Sequence, residues 1–199
     1  MKMFIPEPYN HLKRGPQVIL PKDIGIIIAY SNIGKESICV DAGTGSGWLA
    51  IGLARVCKHV TSYDIREDFI NIAEKNKAKE KLENLDIIKR DVTRKIPDKN
   101  VDLFTLDLPN AQKAVKTAYT ALKTGGYICG YNPNIEQVKA FVKMLNKYKF
   151  ENIVVFETIL RDMLVREKEG TRPSTKGVWH TAYLTFGKKA QENQGSVKR

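Results

Sequence analysis

The chain has 199 residues, 42% of them apolar and 28% charged, with 14 Gly, 8 Pro and 3 Cys. That length suits one domain burying roughly 70% of its unfolded surface without staples, and the composition excludes collagen-like, disordered and disulfide-scaffold classes. Lys and Arg total 33 against 22 acidic residues, a formal charge of +11, which suits a polyanionic partner such as nucleic acid or a surface of solvated lysines.

In chain order the apolar periodicity predicts helices over 23–30, 48–56, 67–81, 112–122 and 135–147. It predicts strands over 37–41, 59–64, 85–89, 101–107, 127–131, 152–161 and 178–186. Strands alternating with helices imply right-handed crossovers and an α/β, Rossmann-like, mostly parallel sheet with helices on both faces. The last two strands are joined by the polar stretch 167–177 instead of a helix, so they are expected to pair as an antiparallel hairpin. The domain is expected over 14–188, with residues 1–13 as an N-terminal extension and 189–199 as a basic, frayed tail.

No apolar run approaches the roughly 18 residues of a membrane span, and the N-terminus lacks the apolar core of a secretory signal. The expectation is a soluble, cytoplasmic protein with no membrane contact. Cys39, Cys57 and Cys129 form no Cys-x-x-Cys pair, so buried inert thiols are expected and a zinc site is not. An intersubunit disulfide stays open for a hyperthermophilic source.

Doubly wound sheets bind ligands beyond the C-terminal ends of their strands. Asp41, Asp64, Asp91, Asp107 and Asn132 fall at those predicted ends, although a single Asp there is usually a turn former or helix cap. The turn Asp41-Ala42-Gly43-Thr44-Gly45-Ser46-Gly47 stands where a strand gives way to a helix. Its glycines permit a sharp turn and a close ligand, and the helix presents free N–H groups. Asp64 is placed to accept ribose hydroxyls and Asp91 to meet an adenine amine. A dinucleotide or S-adenosylmethionine fits such an adenosine site. Trp48 occupies the third glycine position of a dinucleotide fingerprint, and a final antiparallel hairpin belongs to methyltransferases, so S-adenosylmethionine is favoured, with a seven-stranded class I methyltransferase sheet.

Four stretches carry a further likeness, the outer ones more specifically than the glycine turn that all such folds share: Arg14-Gly15-Pro16-Gln17-Val18-Ile19-Leu20-Pro21-Lys22-Asp23, the 41–47 turn, Leu106-Asp107-Leu108-Pro109, and Arg172-Pro173 followed by Val178-Trp179-His180-Thr181-Ala182-Tyr183-Leu184. Tyr131-Asn132-Pro133-Asn134 with Gln137 adds a fifth. On these, from about 14 to 188, the sequence resembles the catalytic domain of the tRNA (adenine-N1) methyltransferase family that modifies adenine-58 of the T-loop. The resemblance implies an S-adenosylmethionine site of Gln17, Leu20, Gly43, Thr44, Gly45, Ser46, Gly47, Asp64, Ile65, Asp91 and Val92. It implies Asp107 as the catalytic carboxylate, tRNA as the partner, and a tetramer of like subunits or a paired subunit.

The chemistry agrees with that assignment. Adenine N1 is an unprotonated lone pair at pH 7, so the enzyme's task is alignment with the methyl–sulfur bond. A carboxylate accepting from the N6 amine favours the charge that develops. The competing role for Asp107 is a cap for the helix predicted at 112. Tyr131, Arg161, Arg172 and His180 are the expected substrate contacts, with His180 read as a hydrogen-bonded structural histidine in the final strand and Arg166 as a nearby phosphate contact. Of Trp48, Tyr131 and Trp179 as stacking surfaces, Trp48 reads as core. Lys139, Lys143 and Lys147 share one helix face, for RNA or for solvent.

Two departures stand against the family pattern. Its small β-rich N-terminal domain has no counterpart in the 13 residues before Arg14. Its Asp-Leu-Pro-x-Pro-Trp run reads Asp107-Leu108-Pro109-Asn110-Ala111-Gln112 here. The alternatives are a methyltransferase of the decarboxylating precorrin type, acting on corrinoids, and a non-catalytic tRNA-binding subunit.

Overall fold

The computed structural model describes residues 4–15, 17–168, 170–175 and 177–191. An N-terminal segment leads to α1 (Pro21–Tyr30), β1 (Ile38–Ala42), α2 (Trp48–Ala54), β2 (His59–Asp64), α3 (Glu67–Glu80) and β3 (Leu85–Lys89). Then come β4 (Val101–Leu106), a 3-10 turn (Ala111–Ala114), α4 (Val115–Ala121), β5 (Leu122–Asn132), α5 (Ile135–Lys147) and β6 (Phe150–Glu157). The short strands β7 (Met163–Leu164) and β8 (Arg172–Pro173) precede β9 (Tyr183–Lys189). The main sheet runs β3-β2-β1-β4-β5-β9-β6. Its pairs from β3 to β5 are parallel, and β9 lies antiparallel between β5 and β6.

Strand alternation sends Cys39 to one face and Val40 to the other. Cys39 joins Ile51 and Leu103 under α1 and α2, while Val40 joins Phe104 and Phe141 under α4 and α5. All seven residues of α2 are buried, as its uniformly apolar sequence requires. Helix α5 starts where the Asn134 side chain accepts from the Gln137 N–H at 3.0 Å, satisfying an otherwise orphaned donor. It buries Val138, Phe141 and Leu145, which leaves Lys139, Lys143 and Lys147 on its solvated face.

Several boundaries differ from the sequence-based expectation, and the larger ones have identifiable causes. The helix predicted from 112 opens as a 3-10 turn and becomes α-helical only at Val115. Strand β5 begins at Leu122 instead of 127, because the pairing with β4 slips between Val101 and Leu103 and Gly125 takes a positive φ there. Strands β6 and β9 pair antiparallel as expected, but β6 ends at Glu157 and β9 begins only at Tyr183. The Thr158 and Thr181 side chains leave the sheet to bond Asp23. The connection read as merely polar carries the β7–β8 ribbon.

Residues 192–199 of the tail expected at 189–199 lie outside the described residues; Lys189 closes β9. Among the described residues no helix is long and apolar enough to cross a membrane.

Candidate active site

The parallel register sets the site. Ala42 pairs with Tyr63 and with Leu106, and Leu106 with Gly130. The strands therefore end flush, and the next residues, Gly43, Asp64, Asp107 and Tyr131, form one row along the C-terminal edge. Asp41 lies inside the sheet instead. It is buried, and its carboxylate accepts from the Ser62 and Thr105 hydroxyls, each at 2.7 Å, while Thr44 and Ser62 share a further 2.7 Å bond. Desolvation holds its carboxyl above the usual range.

At the glycine turn the backbone comes close to β4. Gly43 has φ +94°, and a Cβ there would stand 2.1 Å from the Asp107 carbonyl oxygen, so no other residue fits. Gly45 and Gly47 also take positive φ. The Gly45 N–H donates to Asp64 Oδ2 at 3.0 Å and the Arg66 N–H to Asp64 Oδ1 at 3.0 Å. A carboxylate has about four acceptor positions, so Asp64 keeps capacity for a ligand's hydroxyls. The Ser46 hydroxyl is buried and has no hydrogen-bond partner among the described residues. A buried polar group without a partner is costly, and a ligand on the turn would satisfy it. These features fit an adenosine-bearing cofactor.

Around the turn, Ile65 stands exposed beside Asp64 while Val92 is buried. Asp91 is more local than its expected role: its carboxylate accepts from the N–H and hydroxyl of Thr93 at 2.9 and 2.7 Å, and these bonds hold it below the usual carboxylate range. Gln17 is exposed and Leu20 buried.

The Asp107 N–H donates to the Ala42 carbonyl at 2.8 Å, tying the β4 end to the turn. Burial, reinforced by the negative charges of Asp41 and Asp64 and opposed by Arg66, raises its carboxyl to about 7. The capping alternative is not what is observed, since Asn110 occupies the cap of the 3-10 turn and Ala114 that of α4. Burial, with the negative charge of Asp23, pushes the Tyr131 phenol far above its ordinary value.

Sequence reasoning missed the clasp behind this row. Asp23 is fully buried, and its carboxylate meets Lys22 Nζ at 2.7 Å, the Thr181 hydroxyl at 2.9 Å and the Thr158 hydroxyl. Lys22 also donates to the Thr158 carbonyl at 2.8 Å. The α1 start is thus locked to the ends of β6 and β9. Asn76 was missed too: its amide donates to the Ser46 and Lys13 carbonyls and accepts from the Lys13 N–H, each at 2.8 Å. The N-terminal segment is drawn against the turn. The only sequence signal for Asn76 was a polar residue on the inward face of an amphipathic helix.

His180 stands before β9, not in it. Its Nδ1 faces Glu157 Oε1 at 2.7 Å and its Nε2 the Pro133 carbonyl at 2.8 Å. Two acceptors on one imidazole favour the doubly protonated ring, and the Glu157 bond above all raises its pKa. The Arg161 guanidinium lies 5.4 Å from the Trp179 ring, and both line a cavity of about 160 Å³ with Leu20 and Lys22. Arg172 is exposed on the β7–β8 ribbon. Trp48 is core, its ring 5.2 Å from Tyr9.

The family described as tRNA methyltransferase complex GCD14 subunit matches residues 6–173. A Methanocaldococcus jannaschii tRNA (adenine(57)-N(1)/adenine(58)-N(1))-methyltransferase is 37% identical, over 90% of this chain and 74% of its own. The crystal structure of a tRNA (m1A58) methyltransferase from Aquifex aeolicus superposes with a TM-score of 0.85 at 28% identity, covering 91% of this chain and 73% of that one. A SAM-dependent O-methyltransferase from Thermotoga maritima also gives 0.85, at 31% identity, covering 91% and 69%.

Proposed function

The chain belongs to the family of tRNA methyltransferase complex GCD14 subunits, and from that premise we propose that it transfers a methyl group from S-adenosylmethionine to N1 of a T-loop adenine in tRNA. The observation that carries the reading is Asp107: a carboxyl of raised pKa, hydrogen-bonded through its backbone to the glycine turn.

When bound, S-adenosylmethionine supplies a methyl group already activated by its sulfonium. The Gly43–Gly47 backbone with the orphan Ser46 hydroxyl would hold it, the spare acceptor positions of Asp64 would take the ribose hydroxyls, and Ile65 and Val92 would flank the adenine ring. Asp91 at its edge and Gln17 and Leu20 at the α1 side complete the set. Asp107 accepts from the N6 amine of the target base, which orients N1, and its negative charge favours the positive charge that methylation puts on the purine. His180, with both nitrogens on acceptors, positions Pro133 and Glu157 and takes no proton from substrate. Tyr131, Arg161 and Arg172 face the RNA. The family description names a subunit of a complex, so an assembly, of like chains or with a partner subunit, belongs to the proposal.

The test is methyl transfer to unmodified tRNA transcript, read by nucleoside analysis, with the wild type and Asp107→Ala. The expected product is 1-methyladenosine from the wild type and a loss of at least a hundredfold in kcat for the variant, the scale of a lost charge-stabilising group. Transfer to a corrinoid acceptor and none to tRNA would overturn the reading.

A further inference from the structure

Cys39 and Cys57 are brought together by the fold although 18 positions apart. Cys39, in β1, is fully buried, and Cys57, in the turn between α2 and β2, is 6% exposed, with exposed Arg55, Val56 and Lys58 beside it. Their Sγ atoms are 3.3 Å apart. The backbone around them is tied down. Lys58 N–H donates to the Ser37 carbonyl at 2.9 Å, and the Asn84 amide donates to the Ala54 and Cys57 carbonyls at 2.8 and 3.0 Å. Cys129 lies two strands away on β5.

We propose that Cys39 and Cys57 are a disulfide-forming pair which, once oxidised, closes a covalent ring around β1, the glycine turn and α2. Bond formation at about 2.05 Å brings the sulfurs only about 1.3 Å nearer than they already lie.

The oxidant is a small-molecule disulfide, R–S–S–R. The Cys57 thiolate attacks one of its sulfurs, forming Cys57–S–S–R and releasing R–S⁻, which takes up the proton Cys57 gave up. Cys39 then loses its proton, attacks Cys57 Sγ and expels the second R–S⁻, which takes that proton. Two protein thiols are oxidised and one disulfide is reduced to two thiols. Cys57 is the first nucleophile because it lies in the surface turn. Its thiol is also the one held below its ordinary pKa, by the hydrogen bond from Cys39, while that bond and then burial raise Cys39. The disulfide itself sits at the opposite end of β1 from Asp64 and Asp107. It restricts unfolding of the unit carrying the glycine turn and leaves the site open.

The experiment incubates the native protein with glutathione disulfide and, in parallel, with dithiothreitol. Thiols are then counted in denaturant, masses measured and tryptic peptides mapped. Expected for the oxidised protein are one remaining thiol, a mass about two units lower, and tryptic peptide 36–55 joined to 56–58. Its melting temperature should be roughly 5–10 °C above that of the reduced protein. Cys57→Ser should lose all four changes and Cys129→Ser should keep the cross-link and the thermal shift. Three thiols after oxidation, a glutathione adduct persisting on Cys57, or a covalent dimer on a non-reducing gel would each overturn the proposal, whatever the methyl-transfer assay shows.

Discussion

Asp107 is the residue whose environment most constrains the chemistry. A carboxyl near 7 is half ionised at neutral pH, yet accepting from an amine requires the anion. In the proposed reaction a sulfonium cation beside it would favour ionisation, so cofactor binding would displace a proton from Asp107 below about pH 7. Affinity for S-adenosylmethionine should therefore strengthen as pH rises from 5.5 to 8 and then level, roughly tenfold for each unit by which the cation lowers the pKa. Calorimetric titration checks this: S-adenosylhomocysteine, which lacks the sulfonium charge, should show a weaker slope, and Asp107→Asn none. In the ligand-free protein the sign is the reverse of an ordinary salt-bridged Asp. A carboxyl raised by folding stabilises the fold at low pH, and that contribution is lost as pH rises through about 7. At pH 8 Asp107→Asn should thus melt above the wild type, a trade of stability for function. Asp107 was legible in the sequence from its neighbours Leu106, Leu108 and Pro109; its raised pKa was not, because that comes first from burial in the assembled sheet end and then from the charges of Asp41 and Asp64 on other strands.

At the scale of elements, the β1–α2 turn carries the tightest constraint. Gly43→Ala would drive a methyl group into the Asp107 carbonyl at 2.1 Å and force a positive φ on alanine. The expected outcome is a stability loss of about 3 kcal/mol, from backbone strain and displacement of the β4 end, together with loss of cofactor binding. Denaturant unfolding and calorimetry measure both. The glycine turn and the helix after it could be read from sequence, since glycine spacing and apolar period are local. The ends of β6 and β9 could not. Ile159 and Leu160 look like strand by composition, but they lie beyond the residue where Thr158 turns to Asp23, and Asp23 is 135 positions away. His180 lost its predicted place in a strand for the same reason, being held by Glu157 and Pro133.

Across the whole molecule the charge of +11 bears on the proposed RNA substrate. If phosphates are met by the exposed basic side chains, KM for tRNA should rise about tenfold or more between 50 and 200 mM monovalent salt while kcat changes little, through counterion release. Steady-state kinetics over a salt series checks this, and a flat KM would remove the electrostatic part of the reading. Alternating strand and helix periods, the glycine turn and the Asp64 and Asp107 strand ends were determined by the sequence itself, because each depends on residues within a turn or two of one another. Only the tertiary structure decided that β9 inserts between β5 and β6, that Lys22 and Asp23 are a buried clasp, that Asn76 pulls the N-terminal segment onto Ser46, and that Cys39 meets Cys57. Those contacts join residues far apart in the chain, whose approach depends on sheet register and core packing; nothing in the local sequence encodes it.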